Sequence, residues 1–452
     1  MFKTGRKLVP MLLILTLFAG CGQPVSTSQP VSRQQVTQEV KQEEPRAMEE
    51  HSTETVSTKH NDTGTQLNIS AKTDMVNPAA TIPTETSSPV RPEQRHFDYP
   101  DAVRGIYVTA HSAGGERLTE LVGLIDSTDL NTMVIDIKDD YGYLTFQSDG
   151  MLAPYSKPII KDPKALLDTL EKHKIYPIAR IVVFKDSVYA NLHPEASFID
   201  QGKVWKNGRG EAFVNPFVKE VWQHNLEIAK EAVRMGFQEV QFDYVRFPEG
   251  FEKREATLQY TMGDYKNRPQ QMENLTVSTE PVPAEEQKDD GVKARVNAVT
   301  DFVTYARKEL EPLGVKISVD IFGYTATLPE APGIGQNFTE ISEQVDVISS
   351  MIYPSHWSHG YFNITKPDLK PYQLVQEYAK MEKEKMGKMK NPPISRPWIQ
   401  DFTATWLGKG NYIQYGKKEV EAQIKALNEG GIKEFLLWNA ANRYTKNVDY
   451  TP

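Results

Sequence analysis

Cysteine is all but missing from this sequence: Cys21 is the only one in 452 residues, so no internal disulfide can brace the fold. Positive charge is not in excess either. Lys and Arg number 52 against 60 Asp and Glu, and the net charge is −8. With no long basic run in either half, a nucleic-acid partner is not expected. The leading apolar stretch, "LVPMLLILTLFAG", is shorter than the roughly 20 residues a membrane-spanning helix requires. No GxGxxG, P-loop, GxSxG or HExxH pattern occurs, which removes the usual dinucleotide, nucleotide, serine-hydrolase and zinc-protease signatures. His111 stands alone in its segment, and His356 and His359 sit in "HWSH" without a clear carboxylate partner nearby. No metal and no cofactor is therefore predicted.

What is present begins with an N-terminal leader. "MFKTGRK" is basic, the apolar stretch follows, and Ala19-Gly20 precede Cys21 at cleavage distance, the order of an export signal. "FAGC" resembles a bacterial lipoprotein signal, although Phe18 stands where such signals usually carry Leu. Residues 1–20 are thus read as a signal, with Cys21 lipidated and the chain exported and anchored to a membrane. Residues 21–98 are rich in Ser, Thr, Gln, Pro and Glu. They bury too little apolar surface to offset chain entropy and are expected to form a disordered tether.

From residue 99 short β-rich runs alternate with amphipathic helical stretches. The runs are 103–111, 131–140, 176–186, 239–247, 315–324, 345–357, 395–406 and 431–444; helical patterns cover 116–126, 162–175, 216–236, 292–314, 370–387 and 417–431. Eight runs separated by helices predict parallel strands closed into a (β/α)8 barrel over 99–452. The main competitor, an open doubly wound sheet, would carry a glycine-rich turn after its first strand, and "TAHSAGGERL" lacks that spacing. A polar insertion at about 251–291, containing "EEQKDD", is predicted to be a solvated or mobile loop.

Strand alternation then assigns faces. In the fourth run, Phe242 should face the helices while Gln241 and Asp243 point inward. In the second, Val134, Asp136 and Lys138 oppose Ile135 and Ile137; in the fifth, Ser318, Asp320 and Phe322 oppose Val319 and Ile321. Three aspartates thus approach the C-terminal rim, where barrel enzymes build their sites. A buried carboxylate needs partners or a task. Arg246 is the expected cation for Asp243, and Lys138 for Asp136. Asp401 shares the Ile399 face and reaches the site only if its strand has already ended. Tyr107, Tyr353, Trp357 and Trp438 offer flat faces for sugar rings, and His356, Gln400 and Asn439 offer hydrogen bonds to hydroxyls.

"QFDYVRFP", with "RGIYVTA", "VIDIKDDYG" and "MIYPSHW", resembles a bacterial family of glycoside-hydrolase-like barrels long carried as a domain of unknown function. The resemblance spans about residues 101–445. It implies kinship with alpha-amylase-like glycosidases, in which an Asp ending the fourth strand is the nucleophile and the fifth strand supplies the acid/base. Those positions match Asp243 and Asp320. The acid in such enzymes is generally Glu, so Glu249, Asp136 and Asp401 stay open as alternatives. The expected activity is cleavage of an extracellular or cell-envelope polysaccharide, which needs one proton-donating carboxyl and one opposing carboxylate. Two competing functions remain: a non-catalytic glycan-binding protein on a degenerate barrel, and a Schiff-base lyase using Lys138 or Lys185.

Overall fold

The computed structural model describes Arg95, residues 97–267 and residues 284–451. The expected signal, Cys21 and nearly all of the tether lie outside the described residues. Among those described, no helix is long and apolar enough to cross a membrane.

Eight parallel strands close on themselves: β1 (Arg104–Val108), β2 (Thr132–Lys138), β3 (Tyr176–Val182), β4 (Glu239–Asp243), β5 (Lys316–Phe322), β6 (Val347–Met351), β7 (Trp398–Gln400) and β8 (Phe435–Trp438). Arg104 of β1 pairs with Phe435 of β8, and Trp398 of β7 pairs with Met351 of β6, which completes the ring. The predicted (β/α)8 barrel is therefore the fold. Every residue of β2 and β3 is buried, as parallel strands covered on both faces must be.

The crossovers carry α1 (Arg117–Asp126), α2 (Pro163–Lys172), α3 (Lys219–Met235), α4 (Ala284–Leu310), α5 (Phe338–Ser342), α6 (Pro371–Met386) and α7 (Lys417–Gly430). Their boundaries follow local chemistry. Asp162 caps α2 by accepting from the Ala165 amide, with Pro163 in the first turn. Gly236 ends α3 at φ 115°, its amide satisfying the carbonyls of Ala232 and Val233. The inner face of α3 buries Val221, Trp222, Leu226, Ile228, Ala229 and Val233, and Phe302 of α4 meets the Phe242 ring edge-on at 5.5 Å. Phe242 thus packs under the helices, as alternation requires.

The opposite face of β4 shows how the barrel interior is layered. At the N-terminal end, Glu239 pairs with Arg396 and accepts from Ser318 Oγ at 2.7 Å. Gln241, one layer up, donates to Ser349 Oγ on β6 at 3.2 Å. Asp243 forms the upper layer, at the C-terminal rim. A buried guanidinium–carboxylate pair thus plugs the bottom, and Arg396 also lies 3.9 Å from Glu434.

Several sequence expectations are corrected. The predicted runs overshoot at their C-terminal ends: the first gives way to a helical turn at Ala110–Ala113, and the sixth to a turn at Pro354–His356. Those β-prone residues build the rim instead of extending strands. The seventh run is broken, because Ile394–Ser395 pairs with β6 before Pro397, which has no amide to donate. The insertion also differs from expectation. Its "EEQKDD" segment lies inside α4, which begins at Ala284. The described part, 251–267, packs inward through Phe251, Leu258 and Tyr265. The Phe251 ring lies 5.0 Å from both Phe198 and Phe247.

Candidate active site

A cavity of about 330 Å³ opens at the C-terminal end of the barrel, within the size range of small-ligand sites. Two kinds of side chain line it. Tyr107, Phe322, Tyr353, Trp398 and Trp438, with Met351, give it a largely aromatic wall; Asp140, Arg180, Lys185, Arg209, Glu211 and Arg246 bring charge, with Arg180 over the Tyr107 and Trp438 rings and Arg246 over Phe322. Asp243 and Asp320 also line it.

Arg180, rooted on β3, organises the carboxylates. Its Nε and Nη2 donate to Asp243 Oδ2 at 2.9 and 2.6 Å, its Nη1 to Asp136 Oδ1 at 2.6 Å, and its Nη2 to Asp140 at 3.1 Å. The guanidinium is 1% exposed and lies 5.5 and 5.7 Å from the Tyr107 and Trp438 ring centres. It thus bonds three carboxylates, and such charge-assisted bonds are about twice as strong as neutral ones. Asp243 also accepts from the Tyr244 amide at 2.6 Å. That amide is aimed by an unusual backbone: Tyr244 has φ 52°, a left-handed conformation that a bulky residue adopts at a cost of about 1–3 kcal/mol and that clusters at functional sites.

Asp320 has a different environment. Register places it beside Asp243 across the β4–β5 pair, since Phe242 pairs with Val319. It accepts a hydrogen bond from Trp398 Nε1, which donates at 2.8 Å from β7, two strands further round the barrel. Burial, reinforced by the nearby Asp243 charge, pushes its carboxyl well above the usual carboxylate range, against the pull of the indole and of Arg180 and Arg396. Asp136 is pushed up to about 6 by burial, which the Arg180 charge and the Tyr107 hydroxyl at 2.6 Å only partly offset. Asp140 is shifted the other way: burial raises it, but Lys185 and Arg180 outweigh that and hold it below its ordinary value.

Of the residues expected at the site, Asp243, Asp320, Tyr107, Arg246, Tyr353, His356 and Trp438 line the cavity. Asp136 sits behind Arg180. The expected ion pairs are reassigned. The guanidinium bonded to Asp243 is that of Arg180, while Arg246 stacks 4.8 Å from Tyr244 and 4.7 Å from Phe322, with Glu249 at 3.6 Å. Lys138 does not serve Asp136. The β2–β3 register shifts between Asp136 and Lys138, so the lysine leaves the inward face and meets Asp186 at 2.6 Å and Asn225 of α3 at 2.9 Å. A bulge of this kind breaks the parity on which the expectation rested.

The remaining expected residues brace loops and are not among those lining the cavity. Asp401 accepts from the Thr445 amide at 2.9 Å and hydroxyl at 2.5 Å. Gln400 bonds Ser355 and Asp368, Asn439 donates to the Asp401 and Arg443 carbonyls, and Trp357 packs on Tyr361 and Tyr378. Gln400 also orders His356: Ser355 Oγ donates to Gln400 at 2.8 Å and so accepts from His356 Nδ1 at 2.9 Å. Lys185 does line the cavity, paired with Glu211 at 3.0 Å. Among the described residues, no group of three or more His, Cys, Asp or Glu is placed to hold a metal ion.

The sequence reading missed Arg180, Asp140 and Glu211. Arg180 carried a usable signal, an arginine in the middle of the buried strand "YPIARIVVF"; a charge there demands a partner.

The class is thus defined by a closed parallel barrel whose C-terminal rim presents two adjacent carboxyl groups in unlike surroundings. A family model described as "Putative glycosyl hydrolase domain" matches residues 105–444, and the chain belongs to that family. Solved structures share parts of the architecture. A hypothetical protein from Ruminiclostridium thermocellum ATCC 27405 is 29% identical over 48% of this chain and 96% of its own, with TM-score 0.38. The PgaB (BpsB) glycoside hydrolase domain from Bordetella bronchiseptica is 14% identical over 75% and 94%, with TM-score 0.48. A beta-galactosidase from Marinomonas ef1 is 12% identical over 75% and 54%, with TM-score 0.51; at that identity the likeness concerns the fold. No curated protein matches the chain.

Proposed function

We propose that this protein is a glycoside hydrolase in which Asp320 is the general acid and Asp243 the opposing carboxylate. The observation that carries the reading is the contrast between these neighbours. Asp243 is ion-paired with Arg180 and accepts a backbone amide, whereas burial keeps Asp320 protonated well above the usual carboxylate range. A carboxyl group held protonated beside a carboxylate bonded to a guanidinium marks an acid and its partner. Glycosidic cleavage needs that pair: one proton for the leaving oxygen, and one carboxylate to assist attack at the anomeric carbon. The aromatic wall supplies a surface for the sugar ring, and Arg180 spreads the Asp243 charge while holding its orientation.

A polysaccharide outside the cytoplasm is the proposed substrate, with residues 1–20 as export signal, Cys21 as lipid attachment point and residues 21–98 as tether to the 99–452 barrel. Membrane anchoring through Cys21 and a polysaccharide partner belong to the same proposal. The test is a pair of variants assayed on aryl glycosides and polysaccharides. Asp243→Asn should lose hydrolysis on all of them. Asp320→Asn should lose about 10²–10⁴-fold on unactivated substrates and much less on dinitrophenyl glycosides, whose leaving group needs no proton. Equal losses on both substrate types would overturn the acid assignment. Saccharide binding with no bond cleavage in the unmutated protein would instead support the binding-protein reading.

A further inference from the structure

Aromatic rings continue outward from the cavity in an unbroken series. On the cavity wall Tyr107 and Trp438 stack at 4.2 Å with planes 17° apart. Trp438 is followed by Tyr353 at 6.4 Å, Tyr353 by Phe402 at 5.8 Å, and Phe402 by Trp406, stacked at 5.8 Å and 23°. The His356 ring meets both Phe402 and Trp406 edge-on. Trp406 ends the series at the surface, 43% exposed. A single exposed tryptophan is unremarkable. This one terminates a track that begins at the cavity wall.

The loop bearing Trp406 is also held in place. Asp368, 1% exposed, accepts from Gln400 Nε2 at 3.0 Å and from the Ile413 amide at 3.3 Å. Thr403 Oγ1 accepts from the Tyr415 amide at 3.0 Å. A buried carboxylate therefore ties the loop after β7 to its own strand from both ends. Ordering Trp406 before any ligand arrives lowers the entropy that binding must offset.

We infer that Phe402 and Trp406 form a sugar-binding subsite outside the cavity, which receives a pyranose ring of the same chain whose neighbouring unit occupies the cavity. This rests on the carbohydrate-active reading above and deepens it: the substrate class is an oligo- or polysaccharide, not a monosaccharide glycoside. Ring faces of sugars carry axial C–H groups that pack on flat π-surfaces, and the amphipathic indole suits a half-wet position. Tyr353 follows β6, Phe402 and Trp406 follow β7, and Trp438 ends β8, so the chain is guided along that arc of the rim.

The experiment is affinity electrophoresis of the full-length protein in mild detergent, in gels containing barley β-glucan, xylan, amylopectin, dextran or glycol chitin. Unmutated protein should be retarded in at least one gel. Trp406→Ala should weaken that retardation about tenfold, Trp406→Phe should retain most of it, and Leu313→Ala, an exposed position at the opposite end of the barrel, should be retarded like the unmutated protein. The exposed position of Trp406 means the alanine variant should keep the unmutated urea midpoint. Retardation in no gel, or equal retardation of Trp406→Ala, overturns the subsite. Retardation that depends on Trp406, with no reducing ends released by unmutated protein, upholds the subsite while removing the hydrolase reading.

Discussion

Replacing Arg180 by Met removes the cation shared by Asp136, Asp140 and Asp243 while keeping a side chain of similar length. Four hydrogen bonds of 2.6–3.1 Å disappear. Asp136 and Asp243 are 5% and 6% exposed, so water replaces the lost partner only in part. Breaking a buried pair by deleting one member costs about 3–5 kcal/mol. The contact to Asp140, whose side chain is 39% exposed, adds little because solvent screens it. The loss is a large share of the roughly 5–15 kcal/mol that ordinary domains possess. Its pH dependence has a definite sign. Without the guanidinium the carboxyl groups bind protons more tightly in the folded than in the unfolded state. The folded variant therefore gains relative stability as pH falls. Urea unfolding followed by tryptophan fluorescence should show the full penalty at about pH 7.5 and a smaller one at about pH 5. Arg180→Lys should fall between, since an ammonium keeps the charge but not the planar fork. A penalty below about 1 kcal/mol at the higher pH, or one that grows on acidification, would refute the shared-cation account.

Trp398→Phe removes the indole donor to Asp320, an interaction that lowers its pKa. The basic limb of the kcat/KM profile should move to higher pH, and a move to lower pH would contradict the acid role. Lys138→Met should cost about 3–5 kcal/mol, because Lys138 and Asp186 are both fully buried. Folded Lys138→Met should keep kcat, since Lys138 is not among the cavity-lining residues; loss of kcat would favour the Schiff-base chemistry instead. The burial that pushes Asp136 up to about 6 means the folded state binds its proton more tightly than the unfolded chain. The stability Asp136 contributes is therefore full below about pH 4 and lost as pH rises through about 6. Asp136→Asn should flatten that part of the stability–pH curve measured by thermal unfolding.

The barrel was legible because buried runs alternating with amphipathic helices are a local signal, carried here by eight runs and six helical stretches. Parity along β4 and β5 correctly put Asp243 and Asp320 inward and Phe242 outward, since both strands run regularly to the rim. Parity failed on β2, where one register shift moves Lys138 from the inner face to the helix layer. Nothing in "VIDIKDD" announces that shift. Asp401 was expected at the site only if its strand had already ended; β7 does end at Gln400, yet the Thr445 amide and hydroxyl hold Asp401 among the loops. Ion pairing was the least legible feature. Arg180 meets Asp136 and Asp243 across separations of 44 and 63 residues, and Arg396 meets Glu239 across 157. Such pairs depend on strand order, which local pattern does not encode. Arg246, close to Asp243 in sequence, was the expected cation for it; the guanidinium that bonds Asp243 is Arg180's, while Arg246 lines the same cavity.

Strand order also explains why the two candidate carboxyl groups differ. A guanidinium rooted on β3 can reach the strands on either side, and Arg180 does so, bonding Asp136 on β2 and Asp243 on β4. Asp320 stands one strand further on, at β5. Its partner comes from β7, two strands away on the other side from β3, and that strand offers a tryptophan and not a cation. The Asp243 charge next door then penalises ionisation of Asp320 further. The division between acid and partner thus follows from placing one arginine two strands from the proton donor. An arginine at the Trp398 position would donate to Asp320 as a charge, pull its proton affinity down and leave the site with two carboxylates and no acid.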